Sequence, residues 1–142
     1  GLDLGVDRVK PPLGEYDLVF FPGGVRAREL RHEESFIEWV QTAETCDYLT
    51  SVCTGSLLLG AAGFLEGRKA TTHPVAFDTL AEYTEVLEDR VVQDGNVITA
   101  RGVSSSIDLG LYVVELLTDG ETRQAIAEQM DHPDGSEAFT RE

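Results

Sequence analysis

Apolar positions along this chain follow two alternating rhythms. Compact apolar runs bounded by turn formers read as buried strands, and apolar residues at helical spacing between charged ones read as amphipathic helices. The first strand signal is Tyr16-Asp17-Leu18-Val19-Phe20-Phe21, halted by Pro22-Gly23-Gly24. From about Glu29 to Thr45, Phe36, Ile37, Val40 and Ala43 recur at helical spacing, which predicts one helix. Tyr48 to Val52 is the next buried strand, Ser56 to Gly63 a short helix of small residues, and Lys69 to Thr72 a short strand. Pro74 opens a helix reaching about Glu82, since proline is tolerated in a first turn.

Arg90 to Gln93 and Asn96 to Ala100 flank Asp94-Gly95, a strong hairpin signal. Ser105 and Asp108 have capping-box spacing ahead of a helix whose apolar face reads Ile107, Leu111, Val114 and Leu117. A last helix is expected from about Glu121 to Met130, followed by a loose tail after Pro133. Strand–helix alternation implies a three-layer α/β sandwich with a mainly parallel sheet. Ligand sites in such sheets lie beyond the carboxyl ends of the strands. Pro22-Gly23-Gly24 and Ser51-Val52-Cys53-Thr54-Gly55 both fall there.

Composition narrows the picture. The chain has 142 residues, which suits one domain over 1–142, and no repeat divides it. With 26 Asp and Glu against 11 Lys and Arg, its formal charge is −15. Such a surface repels phosphate backbones and anionic lipid, so neither nucleic acid nor membrane is an expected partner. No apolar run approaches the ~20 residues of a membrane helix, so a soluble domain is expected. The acids are dispersed and Lys10 and Lys69 are the sole lysines, a surface suited to high salt, where self-repulsion is screened; halophilic origin is the expectation. Cys46 and Cys53 are too few for a disulfide framework and form no C-x-x-C, so a reducing cytoplasm is expected and no metal or cofactor is.

Cys46 reads as a small buried apolar residue near a helix end. Cys53 reads differently. It follows a strand directly and precedes a helix, with Ser51 and Gly55 two positions away on either side. A tight strand-to-helix turn of small residues is what a nucleophile elbow needs. A thiol at a helix start meets backbone N–H groups that favour thiolate, and the same groups, Thr54 first, can stabilise charge developing on a substrate. A merely buried strand-end cysteine is the alternative that the short motif alone leaves open.

The run from Ser51 to Gly63, with Gly67-Arg68-Lys69-Ala70-Thr71-Thr72-His73 after it, resembles the ThiJ/PfpI superfamily of glutamine-amidotransferase-like proteins, and isonitrile hydratases in particular. Tyr16 to Gly24 and Asp94 to Gly102 fit the same family in the same order. The resemblance implies a flavodoxin-like, glutamine-amidotransferase-like fold, a catalytic Cys53, and an anion pocket from backbone N–H groups at Gly24 and Thr54. His73 matches a histidine near the cysteine in several members; a structural helix-start histidine is its other reading. Arg101 is expected to shape the pocket wall, holding an anionic substrate or pairing at the surface. His32 and His132 are expected at the surface.

The resemblance is broken in two places. Protease-like members carry a histidine after the cysteine, whereas Thr54 stands here, so peptide hydrolysis loses its Cys–His pair. Family members also begin with a further strand, helix and strand, whose helix start supplies an Asp or Glu against the cysteine. This chain starts beyond that unit, so a gap in the sheet is expected, from an incomplete N-terminus, a partner chain or a degenerate site. Glu15, Glu29 and Glu66 are the stand-in acids, with nothing in their spacing to choose between them. The functions implied are isonitrile hydration, a glyoxalase- or deglycase-like action on reactive aldehydes, or a non-catalytic redox-sensing cysteine, in a homodimer acting on a small electrophile. A transcriptional regulator is disfavoured, because no helix-turn-helix or basic patch is present.

Overall fold

The structure, a computed structural model, describes residues 1–133 and 139–141. Strand β1 (Leu18–Phe21) leads into helices α1 (Val25–Leu30) and α2 (Glu34–Gln41), then a 3-10 turn over Thr42–Thr45. Strand β2 (Tyr48–Val52) is followed at once by a 3-10 turn (Cys53–Gly55) and helix α3 (Ser56–Ala61). Next come β3 (Lys69–Ala70), a 3-10 turn (Pro74–Ala76), α4 (Phe77–Leu80), β4 (Glu85–Val86), β5 (Val91–Asp94) and β6 (Val97–Ala100). Helices α5 (Ser105–Leu117) and α6 (Gly120–Gln129) precede β7 (Phe139–Arg141).

The main sheet has the order β1-β2-β6-β5-β7, and β3 pairs with β4 in a separate two-stranded sheet. All pairs are parallel except the β5–β6 hairpin, so the sheet is mixed and mostly parallel, in an α/β sandwich. Strand periodicity splits the core into two layers. Val19, Phe21, Leu49 and Val97 join Ala27, Val40, Leu57 and Leu59 of the first three helices in one cluster. Val52, Val91, Ile98 and Ala100 join Leu109 and Tyr112 of α5 in the other. Val97 and Ile98, adjacent on β6, thus face opposite layers. Helix α3 is buried on nearly every side, which is why it is made of leucine, glycine and serine.

Several expectations are corrected. The single helix from Glu29 to Thr45 is two helices, because the chain turns at Arg31–Glu33. There Arg31 reaches across to Glu82 (3.1 Å) and the Tyr83 hydroxyl (2.8 Å), and Glu33 takes extended backbone angles. The strand from Lys69 to Thr72 stops at Ala70, since the Thr71 amide donates to Thr99 Oγ1 (2.9 Å) and Thr72 Oγ1 to the Cys53 carbonyl (2.9 Å). Strand β4, its partner, carried no sequence signal. The hairpin loop is Gly95-Asn96, one residue later than expected, because Asp94 pairs with Val97 while its carboxylate accepts from the Lys69 amide (2.8 Å).

The capping box does not form. Ser105 lies inside the helix with its Oγ unpartnered among the described residues, and Asp108 belongs to the buried stripe with Leu109 and Tyr112. Its charge is met there by Arg90 (2.9 Å from Nε, 2.5 Å from Nη2) and by His132 Nε2 (3.1 Å), so His132 is not a surface residue. Ile107 and Leu117, expected on the buried face, are exposed. After Pro133 the expected loose tail is corrected at Phe139–Arg141, which pairs with Val91–Gln93. The rest of that tail, 134–138 and 142, lies outside the described residues. Among the described residues the expected gap is not found inside the sheet: β1, β2 and β6 are contiguous, and β1 lies at one edge, where Phe20 stands 47% exposed.

Candidate active site

Parallel pairing brings the carboxyl ends of β1, β2 and β6 level, with Phe21 opposite Ser51 and Val52 opposite Ala100. The loops that follow converge. Gly24, Val25 and Arg28 after β1, Cys53 and Thr54 after β2, His73 and Val75 after β3, and Val103 after β6 line one pocket of about 210 Å³. Polar chemistry therefore sits where a parallel sheet offers it, beyond the strand ends.

Cys53 is the strained point of this junction. Its φ is +57°, a left-handed angle uncommon for a residue with a side chain and worth ~1–3 kcal/mol of strain. Neighbouring bonds hold it there: its carbonyl accepts from Thr72 Oγ1 (2.9 Å) and Ser56 Oγ (3.3 Å). The glycines make the close approach possible. A Cβ on Gly55 would stand 2.0 Å from the Phe21 carbonyl oxygen, and one on Gly23 would stand 2.7 Å from Cys53 Cβ and 3.0 Å from its Sγ. The small-residue spacing around Cys53 thus serves packing of the β1 and β2 loop ends, and it leaves Cys53 half-buried on the pocket lining.

Thr54 and Gly24 are laced together. The Gly24 amide donates to Thr54 Oγ1 (2.9 Å), and that hydroxyl donates to the Gly24 carbonyl (3.0 Å). The Gly24 amide expected to face an anion is therefore engaged by the threonine side chain. The Thr54 amide nitrogen lies 2.8 Å from where a Gly23 Cβ would be, and so borders the same hollow as the sulfur. It is the better placed of the two expected donors.

His73 combines both of its readings. It caps the 3-10 turn at Pro74, its Nδ1 accepting from the Val75 amide at 3.3 Å, and it also lines the pocket. A ring that accepts at Nδ1 carries a proton on Nε2, which makes that nitrogen a hydrogen-bond donor. Arg101 is not brought to the cysteine: its guanidinium lies over the Phe77 ring, 5.4 Å from the centroid, outside the pocket lining. Nor do the stand-in acids reach it. Glu15 pairs with Arg8 (3.1 Å), Glu29 with Arg26 (2.6 Å), and Glu66 lines a different hollow with Arg68 and Asn96. No carboxylate lines the Cys53 pocket among the described residues.

Arg28 and the valines 25, 75 and 103 escape sequence reasoning. One signal was available: Arg28 stands four residues after Gly24, so a helix starting at that glycine carries the guanidinium one turn above it.

A strained cysteine at the end of a parallel strand, facing a small pocket, defines a cysteine-elbow α/β protein. A family model described as DJ-1/PfpI matches residues 2–116, and the chain belongs to that family. It is 38% identical over 118 residues to an isonitrile hydratase of Pseudomonas putida, covering 82% of this chain and 52% of the relative. It is 30% identical over 120 residues to the protein DJ-1alpha of Drosophila melanogaster, covering 82% of this chain and 55% of that one. Among solved structures, a ThiJ/PfpI family protein from Pseudomonas syringae matches with a TM-score of 0.77 at 36% identity, covering 83% of this chain and 50% of that one. The chain spans about half the length of the curated relatives it matches. No helix among the described residues is long and apolar enough to cross a membrane.

Proposed function

We propose that this protein is a cysteine-dependent enzyme of small electrophiles, hydrating an isonitrile to an N-substituted formamide. The observation that carries the reading is Cys53 itself, held at a left-handed φ on a strand end and opening into a pocket beside Thr54 and His73. The likeness to an isonitrile hydratase supports the choice of substrate. Cys53 sulfur bonds to the terminal isonitrile carbon, and a proton reaches that carbon, giving a thioimidate. Water then adds to the same carbon, the C–S bond breaks, and formamide and free thiol result. The proton that reaches the carbon is the thiol's own, and His73 Nε2–H and the Thr54 amide are the hydrogen-bond donors this chain offers to the charge that develops.

Incubation with a simple alkyl isonitrile tests this: formamide appears with the wild type and not with Cys53→Ala, and no formamide from the folded wild type overturns it. A second reading, action on reactive aldehydes, rests on the resemblance of Thr72-His73-Pro74 and Arg101-Gly102 to the stress-response branch of the family. Lactate from methylglyoxal, lost in Cys53→Ala, would select that reading over the first. With either substrate the protein is a salt-adapted cytoplasmic dimer needing no cofactor, its charge of −15 being the support for salt adaptation. Loss of far-ultraviolet dichroism on dialysis to low salt is expected, and an unchanged spectrum would contradict it.

A further inference from the structure

We propose that the Cys53 pocket is built for an electrophile carrying an anionic group, above all a carboxylate, and that Arg28 is the residue that holds it. The proposal rests on Cys53 being the nucleophile and adds the substrate class.

Arg28 is an exposed guanidinium on the pocket wall, and no carboxylate pairs with it among the described residues. In this chain that is unusual, because acids outnumber bases 26 to 11 and most other arginines are taken. Arg8 pairs with Glu15, Arg31 with Glu82, Arg90 with Asp108 and Arg123 with Glu115. The contrast is sharpest within α1 itself. Arg26, two residues earlier, pairs with both Glu29 (2.6 Å) and Glu33 (3.7 Å), leaving Arg28 as the helix's cation toward the pocket.

The rest of the lining is Gly24, Thr54, His73 and three valines, with Val25, Val75 and Val103 at 79%, 66% and 72% exposure. Exposed valines give the body of a ligand an apolar wall, while Arg28 and Cys53, both on the lining, offer it a fork of donors and a nucleophile. A guanidinium matches a carboxylate bidentately, which no other group on this wall can do. The pocket is small, about 210 Å³, so the acid and the electrophilic carbon must belong to one compact molecule. Contact pairing of this kind survives high salt, where the Debye length is only ~3 Å at 1 M and the acidic remainder of the surface no longer repels an incoming anion.

The test uses two reagents with the same reaction and different charge. With iodoacetate or iodoacetamide, Cys53 sulfur bonds to the methylene carbon and iodide leaves. The ratio of the two second-order rate constants at Cys53, identified by its peptide, is measured in high salt for wild type, Arg28→Gln and Arg28→Lys. We expect the iodoacetate-to-iodoacetamide ratio to fall about tenfold in Arg28→Gln and to recover in large part in Arg28→Lys. A ratio unmoved in Arg28→Gln overturns the proposal while leaving Cys53 as nucleophile. If Cys53 reacts with neither reagent in the folded wild type, the underlying reading fails and the proposal with it. Turnover gives a second readout: Arg28→Gln should raise KM for isocyanoacetate about tenfold more than for its methyl ester, and equal changes in the two would count against Arg28.

Discussion

Cys46 and Cys53 stand at the two ends of one strand and live by opposite rules. Cys46 precedes β2 with relaxed extended angles (φ −68°), is 4% exposed, and donates its S–H to the Leu13 carbonyl at 3.1 Å. Burial, with Asp47 and Asp17 nearby, pushes its thiol pKa up, so it stays neutral and inert. Cys53 leaves β2 at a left-handed φ, half-buried, its carbonyl fixed by two hydroxyls and its sulfur on a pocket wall. The difference is topological rather than chemical. The amino end of a parallel strand runs into the packed underside of the sheet, whereas the carboxyl end meets the loops of its neighbours.

The comparison breaks most completely by deleting each thiol. Cys53→Ala should reduce isonitrile turnover to the uncatalysed rate, whereas Cys46→Ala should keep kcat/KM within about twofold, as a group outside the reacting atoms should. Comparable losses in both would undo the assignment. Next in size is Gly23→Ala, whose new Cβ collides with Cys53 at 2.7 Å and with the Thr54 amide nitrogen at 2.8 Å. Displacing the sulfur by a fraction of an ångström should cost turnover about a hundredfold, with Cys46 labelling in denaturant unchanged. A variant of wild-type kcat would mean the elbow tolerates repacking.

A smaller effect is expected from Thr72→Val, which removes the buried hydroxyl bonded to the Cys53 carbonyl. Chemical denaturation should report a loss of about 1 kcal/mol, and Cys53 alkylation should slow several-fold. Unchanged alkylation would mean that the backbone strain is held from elsewhere. The smallest effect concerns Cys46 and pH. Its folded pKa is raised above the unfolded value, so its contribution to stability is full below about pH 8.5 and is lost as pH climbs toward the folded value. Cys46→Ala should therefore flatten the alkaline limb of the stability curve, and an identical limb in the variant would contradict the burial argument.

Much of this arrangement is legible in the chain because it depends on local rhythm. Strands β1 and β2, the hairpin and the elbow announce themselves through apolar runs ended by glycines, and Cys53 is marked as a candidate by its neighbours and singled out by the longer run from Ser51 to Gly63. What escapes reading depends on contacts between distant segments. The break at Arg31–Glu33 follows from Arg31 finding Glu82 and Tyr83, some fifty positions away. Asp108 imitates a capping residue by spacing, and only the fold turns it inward to meet Arg90 and His132. Arg28 stands just before the predicted helix, and only the turn at Gly24, which starts α1, brings it to the wall of the Cys53 pocket. Gly24 misled in the other direction, its amide engaged by Thr54 rather than open to an anion.

The most direct test of the account is competitive labelling of the two thiols in the folded protein with limiting iodoacetamide in high salt, each modified peptide being quantified. The elbow predicts that Cys53 is alkylated about a hundredfold faster than Cys46, with the two rates converging once the chain is unfolded. Equal rates in the folded state, or Cys46 reacting first, would contradict the claim that the carboxyl end of β2 makes Cys53 the reactive residue.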